Sequence, residues 1–323
     1  MRYDDVMLRK NWTVKSFERL DSFLRRELPL VLDCTVSNSK VRRFIIAGSV
    51  NANGRQCRIP SFKLKPGTCV SVCIDEDKLF FEKKPDDIDF TLTDKDVLFE
   101  DDYIIVVNKP AFLPTEDTIV EGRKNMHGAV VEYLWKKNPS LRNPPYAGIM
   151  HRLDRETSGV LLFTKTRSVN AAVHDMFEMH TARKTYRAVC TCNANRSDMM
   201  KEGNSFTVDN FIGRISPKSQ ACKVGVLDES RGGQHARTEF YIASRKDGLY
   251  YIDCHLLTGR THQIRVHLSQ FGLPIVGDKL YGGAEGFASL GNRIMLHAFS
   301  LEFPHPVTKE LMTVTSELPV EFK

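Results

Sequence analysis

The chain has 323 residues, 41% hydrophobic and 27% charged, with a formal net charge of +6. This composition excludes a fibrous repeat, a disulfide-stapled miniprotein and a largely disordered chain, and the length points to two domains. The longest apolar runs, such as Ile104–Val107 and Gly159–Phe163, fall far short of the ~20 residues that span a bilayer. The opening MRYDDVMLRKNW has two Asp and no apolar leader core, so an intracellular, cytoplasmic location is the expectation. Eight scattered cysteines form no C-x-x-C pair, which fits reduced thiols. Cys190 and Cys192 sit in a strand-like run, as buried small hydrophobes on one face.

Charge is unevenly spread. Residues 16–74 hold ten Lys/Arg against four Asp/Glu, whereas residues 75–102 hold four against twelve. Basic surface favours phosphate partners through attraction and counterion release; a merely solvated surface gives the same count. The acidic stretch, with a turn signal at Pro85-Asp86-Asp87, reads as a linker over 76–96 that lies off any phosphate path.

In chain order, residues 1–15 read as an extension and 16–75 as a small domain of helix, helix, then strands. Leu20, Phe23, Leu24 and Leu28 recur at helical spacing, and Pro29 is expected to end that helix. Ser39 is a candidate cap for a second helix carrying apolar Val41, Phe44 and Ile45 beside cationic Lys40, Arg42 and Arg43, closed by Gly48. Asn53-Gly54 signals a hairpin and Lys65-Pro66-Gly67 a second turn before a strand over 68–74.

Residues 97–323 read as one larger domain with two informative segments. In His151-Arg152-Leu153-Asp154-Arg155-Glu156-Thr157-Ser158-Gly159, an ionisable loop feeds a buried strand. A carboxylate near guanidinium groups stays ionised and suits a nucleophile or base. An ion-paired turn capped by Thr157 or Ser158 fits the same residues. In Leu257-Thr258-Gly259-Arg260-Thr261-His262-Gln263-Ile264-Arg265-Val266-His267-Leu268, a helix is expected after Gly259 with Thr261 as cap and Gly272 as stop. Ile264, Leu268 and Phe271 form its buried stripe. Arg265 can then reach back over the helix start toward a neighbouring loop. His262 and His267, five apart, make a poor metal pair and read as packing or phosphate-facing residues.

Two resemblances follow from these residues. The order Arg19-Leu20-Asp21, Ser39–Ile46, Gly48-Ser49-Val50, Asn53-Gly54 and Lys65-Pro66-Gly67 resembles the S-four-like RNA-binding module. Asn38 replaces a usual basic residue, and Thr68 a frequent acidic one. HRLDRETSG with GRTHQIRVHL resembles the RluA-type family of RNA pseudouridine synthases. Asn108-Lys109-Pro110, Arg183-Lys184-Thr185-Tyr186, Gly277-Asp278-Lys279-Leu280-Tyr281-Gly282 and Leu296-His297-Ala298 agree in order across residues 97–318. Ala111-Phe112 stands where that family usually has glycine.

The resemblance implies an α+β pseudouridine synthase fold, with a mixed, largely antiparallel sheet and a central catalytic cleft, preceded by the small ααβ module. It implies Asp154 as the essential aspartate, Tyr186 stacking on the flipped base and helping proton transfer, and Arg265 pairing with Asp154. Arg152 would face the RNA beside the loop and fill the gap left by the flipped base. Leu296 would belong to the apolar wall of the pocket, while Arg42 and Arg43 would extend RNA affinity. Breaking N1–C1′ and joining C5 to C1′ is an isomerisation that needs no redox or metal cofactor. Ribosomal RNA of the large subunit is the favoured partner, transfer RNA the second, and a monomer is expected. A non-catalytic RNA-binding protein on the same scaffold, a glycosidase using Asp154 with Glu156, and a metal-dependent hydrolase are the competing readings.

Overall fold

The computed structural model describes residues 8–74, 79, 87–117, 123–192, 201–217, 222–285, 287, 290 and 293–323. The chain divides into two compact units, residues 1–85 and 86–323.

The smaller unit contains β1 (Leu8–Thr13), β2 (Glu18–Arg19), α1 (Leu20–Leu32), α2 (Asn38–Ile46), β3 (Val50–Ala52), β4 (Arg55–Gln56), β5 (Lys63–Leu64) and β6 (Cys69–Ile74). Four strands form a sheet in the order β1-β6-β3-β4, and β2 pairs with β5. Leu20, Phe23, Leu24 and Leu28 of α1 pack with Val41, Phe44 and Ile45 of α2 and with Val50, Val70 and Val72 of the sheet. Asn53 and Gly54 take positive φ of 49° and 77°, the geometry of the expected hairpin turn.

Three expectations need correction here. Pro29 lies inside α1, which runs on to Leu32 and stops at left-handed Asp33. Proline removes one backbone donor, and packing of the apolar stripe on both sides of it carries the helix through. The cap of α2 is Ser37, not Ser39; its hydroxyl accepts from the Lys40 amide at 3.3 Å. The earlier serine adds residues to a short cooperative helix. The stretch read as an extension contributes β1, paired with β6 from Leu8 to Thr13, and Trp12 packs edge-on against Phe23 with centroids 5.8 Å apart.

The larger unit contains β7 (Val97–Glu100), β8 (Ile104–Lys109), α3 (Met126–Lys137), β9 (Gly148–Ile149), β10 (Ser158–Thr164), α4 (Asn170–Glu178), β11 (Arg183–Cys190), β12 (Ser205–Arg214), β13 (Val224–Val226), β14 (Gln234–Lys246), β15 (Leu249–Leu256), α5 (Gln263–Phe271), β16 (Leu296–Pro304) and β17 (Leu311–Thr315). Its sheet runs β13-β12-β14-β15-β11-β16-β10-β8-β7, with β17 on β16 and β9 on β10. Alternation sends Ile105, Val107, Leu161 and Phe163 to the face packed with α3, and Ile104, Val106, Val160 and Leu162 to the face packed with α4. Strands covered on both faces need continuous apolar runs, which is why residues 104–107 and 159–163 show no polar alternation.

The second half of the acidic stretch is not a free linker. Ile88 and Phe90 pack on the main core and Leu92 is buried in it. Asp87 pairs with Arg123 and Arg155, so its charge is spent inside the larger unit. Residues 80–86 of the expected linker lie outside the described residues.

Among the described pairings, only β10 with β16 is parallel, and it spans two steps, Ser158 to His297 and Gly159 to Ala298. Arg293 ties the two strand starts together, donating to Ser158 Oγ at 2.6 Å and to the Leu296 carbonyl at 3.2 Å. The contact requires glycine: Gly159 has φ +113°, and a Cβ there would lie 2.1 Å from the Ala298 carbonyl oxygen. Gly159→Ala is therefore expected to cost about 2 kcal/mol or more in urea denaturation, since strain and overlap add.

Candidate active site

The loop 151–157 joins β9 to β10 and is fixed by its backbone. Thr115 Oγ1 donates to the Leu153 carbonyl at 2.9 Å and accepts from the Leu153 amide at 3.2 Å. The Thr157 amide donates to the Asp154 carbonyl at 3.1 Å, closing a turn around Asp154. His151 Nε2 accepts from the Leu162 amide at 2.9 Å. Burial pushes that imidazole down to about 3, so it stays a neutral acceptor.

Lys109, fully buried at the end of β8, reaches the same loop. Its ammonium donates to the carbonyls of Pro110, Leu113 and Arg155 at 2.9, 2.7 and 3.2 Å. Three acceptors match its three donors. Burial, with Arg293 as the next cause, lowers it to about 7. Within this turn Phe112 holds a left-handed φ of 62°. A residue with a Cβ thus occupies a conformation that glycine adopts freely, and the Arg155 guanidinium lies 5.3 Å from its ring centre.

Asp154 meets Arg265, as the resemblance implies. Arg265 Nη1 donates to Asp154 Oδ2 at 2.9 Å. The other edge of the guanidinium was not legible beforehand: Nε and Nη2 donate to Asp278 Oδ2 and Oδ1 at 2.7 and 3.0 Å. Asp278 is 1% exposed and Arg265 5%, so this is a buried charge pair with an arm extended to the cleft. Burial alone would lower the Arg265 pKa; Asp278 and then Asp154 outweigh it and drive it above its usual value. The Arg265 guanidinium also sits 5.1 Å from the Tyr281 ring centre. The sequence signal for Asp278 is its place after Gly277, which has φ +79° and room for no Cβ, 2.0 Å from the Arg293 carbonyl oxygen.

Helix α5 starts at Gln263 rather than after Gly259, and Thr261 does not cap it. Gln263 instead ties the turn ahead of the helix: its Oε1 accepts from the Arg260 amide at 2.9 Å and from Thr258 Oγ1 at 2.8 Å. The helix is buried nearly all round, including Arg265 and His267, so its apolar stripe is only part of its packing. His262 lies beside Asp154, with Nε2 3.7 Å from Oδ2.

Tyr186 projects from β11, where a register shift between Thr185 and Tyr186 interrupts the pairing with β16. Such a bulge re-aims a side chain. The ring is 8% exposed. Burial first, and the Asp154 charge second, raise its pKa, which keeps the phenol protonated at neutral pH. Asp154, Tyr186, Arg265, Leu296 and Arg152 all line one cleft of about 1330 Å³. Arg152 is exposed there and pairs with Glu116. Arg42 and Arg43 are exposed on α2 of the smaller unit. Glu156 bonds Arg155 at 3.0 Å and does not line the cleft, so the carboxylate pair a glycosidase needs is not formed there. No helix among the described residues is long and apolar enough to cross a membrane.

Residues 103–270 match the family model described as RNA pseudouridylate synthase. The chain is 34% identical over 313 residues to "Ribosomal large subunit pseudouridine synthase D" of Neisseria meningitidis, covering 94% of this chain and 75% of that protein. It is 34% identical over 230 residues to "Uncharacterized RNA pseudouridine synthase YhcT" of Bacillus subtilis, covering 71% of this chain and 70% of that one. The solved structure of human RNA pseudouridylate synthase domain-containing 4 superposes with a TM-score of 0.55 at 23% identity, covering 71% of this chain and 90% of that one; it shares the fold. The chain belongs to the RNA pseudouridylate synthase family. Its class of reaction is isomerisation, with uridine in RNA as the reacting group.

Removing the inner carboxylate should damage the molecule more than removing the outer one. Asp278→Ala is expected to cost about 3–5 kcal/mol, because it strips two bonds from a buried guanidinium. Asp154→Asn, at the partly open end, should cost about 1 kcal/mol or less. Parallel urea titrations of both variants check the order.

Proposed function

We propose that this protein isomerises uridine to pseudouridine in large-subunit ribosomal RNA, with Asp154 as the reacting carboxylate. The observation that carries this reading is the Asp154 carboxylate, held through one oxygen by Arg265 in a cleft whose wall includes buried Tyr186 and Leu296. The choice of RNA is supported by the names of relatives that span most of the chain.

The uridine must leave its stack to reach Asp154, which costs a few kcal/mol. Stacking on Tyr186 returns about 1–3 kcal/mol of that. Ionised Asp154 then attacks C1′ or takes the C2′ proton, and either step releases uracil at N1. The base turns and C5 joins C1′, displacing the Asp154 carboxylate on the first route or with the proton handed back to C2′ on the second, and the C5 proton is lost while N1 ends protonated. Atoms balance without an added reactant. Arg265, already charged, orients the carboxylate through its 2.9 Å hydrogen bond. Arg152, exposed on the cleft rim, meets the strand that the base has left.

The smaller unit is read as an RNA-binding module of the S-four-like kind. Arg19 and Arg26 in it are ion-paired. Arg42 and Arg43 have no carboxylate within ion-pair distance among the described residues, and Arg43 reaches only the Leu79 carbonyl, at 3.5 Å. Exposed, uncommitted cations on one helix suit phosphate contacts.

Two measurements test these readings. Large-subunit ribosomal and transfer RNA transcripts are incubated with the protein, and pseudouridine is mapped by carbodiimide adducts and primer extension. Stops in the ribosomal transcript that fall about a thousandfold or more in rate with Asp154→Asn are expected. Stops confined to transfer RNA would replace the substrate, and undiminished stops with Asp154→Asn would remove the carboxylate's role. In filter binding, the double variant Arg42→Ala/Arg43→Ala should weaken RNA affinity and flatten the salt dependence by about one to two phosphate contacts. An unchanged salt slope would detach the smaller unit from RNA.

A further inference from the structure

His262 occupies a place that packing does not account for. It stands just before α5 with a left-handed backbone, φ +55°, a conformation unfavourable for a Cβ-bearing residue. Strain of this kind concentrates where geometry serves function. Its ring lies edge-on to Tyr281, with centroids 5.7 Å apart, and its side chain is 14% exposed.

The hydrogen bonds around His262 favour one placement of its ring proton. The Val224 amide donates to the Tyr281 hydroxyl oxygen at 2.9 Å, and that hydroxyl lies 2.8 Å from His262 Nδ1. With its oxygen already accepting, the phenol has its proton to give, and Nδ1 is the acceptor in reach. A neutral imidazole accepting at Nδ1 carries its hydrogen at Nε2. Nε2 is the nitrogen 3.7 Å from Asp154 Oδ2. Burial lowers the His262 pKa, and Arg265 adds to this against Asp154, Asp278 and Glu156; the ring is therefore neutral at neutral pH.

We propose that His262 is a positioning residue for Asp154: Tyr281 pins its tautomer, and its Nε2–H supplies a second donor to Oδ2. The inference rests on Asp154 being the reacting carboxylate. Arg265 and His262 approach the same oxygen from the start of α5, which leaves Oδ1 for the ribose. The 3.7 Å separation closes to a hydrogen bond when RNA fills the cleft, as active-site contacts commonly tighten on binding. Two donors on one oxygen fix the carboxylate plane as well as its charge, and orientation at the reacting atom is a rate effect.

The test combines a spectrum with kinetics. In protein labelled with ¹⁵N-histidine and free of RNA, long-range ¹H–¹⁵N correlation at neutral pH should show His262 protonated at Nε2 alone. Tyr281→Phe should populate the other tautomer. Single-turnover rates on a large-subunit ribosomal RNA transcript should fall about 10- to 100-fold with His262→Ala, while RNA affinity changes less than about threefold. His262→Gln, whose amide can present an N–H in place of Nε2–H, should recover about tenfold of that loss. Protonation at Nδ1 in the wild type overturns the inference. So does a His262→Ala rate equal to wild type while Asp154→Asn is inactive, an equal fall in rate and affinity, or a glutamine variant no better than alanine. An active Asp154→Asn would instead remove the reading on which the inference rests.

Discussion

Everything in the site depends on one buried guanidinium that serves two carboxylates. Taking Arg265 out of water costs several kcal/mol, and only a partner with matched geometry offsets it. Asp278 is that partner, with both oxygens engaged at 2.7 and 3.0 Å. Once the inner edge is satisfied, the guanidinium cannot rotate, and Nη1 is left pointing at a fixed spot 2.9 Å from Asp154. Arg265 therefore acts as a rigid extension of the Gly277–Gly282 segment. That segment in turn is tied to α5, since Ser269 Oγ donates to the Tyr281 carbonyl at 2.7 Å.

The sheet supplies the opposite side of the cleft by a different constraint. Strands β10 and β16 meet in parallel for two residues, and an unusually close approach at Gly159 makes that contact possible. The loop bearing Asp154 ends at the start of β10, and Leu296 begins β16, so these two cleft-lining side chains are brought together by backbone rather than by side-chain packing. Lys109 binds the Arg155 carbonyl and Arg293 binds Ser158, which fixes both ends of the loop's second half. Neither cation has a carboxylate hydrogen-bonded to it among the described residues. They work as multivalent donors to oxygen, although burial lowers the pKa of both.

Local signals carried much of this into the sequence. The apolar run after the 151–159 loop gave β10, turn residues gave the hairpin at Asn53-Gly54, and the place of Arg265 in the helix after Gly259 gave its reach toward the loop. The missed features are those decided by contacts distant in sequence. Pro29 should have ended α1 on local propensity, but Leu28 before it and Val31 and Leu32 after it pack on the same core. Asp87 lay in a stretch that looked like solvent-facing acid, yet Arg123 and Arg155 fold back on it. Asp278 and His262 look like ordinary turn and helix-start residues. Their significance comes from Arg265 and Asp154, residues 13 and 108 positions away, and no periodicity encodes such a pairing.

The same charge accounting separates chemistry from RNA affinity. Arg265 has all three of its outward nitrogens committed to carboxylates, so it has none for phosphate. Arg123 and Arg155 share Asp87, Arg155 also pairs with Glu156, Arg187 pairs with Asp253, and Lys137 and Lys165 share Glu100. The net charge of +6 is thus not available evenly. In the cleft it resides on groups such as Lys184, whose ammonium lies 5.4 Å from the Phe177 ring centre, and Arg260, whose Nε donates to the His235 carbonyl. Neither has a carboxylate within ion-pair distance among the described residues. Cations left without counter-ions at a cleft wall are costly until an anion arrives, and these two stand apart from the Asp154–Arg265–Asp278 chain. The cleft's cations thus fall into two sets, because those without a carboxylate partner among the described residues are not the one that holds Asp154 in place.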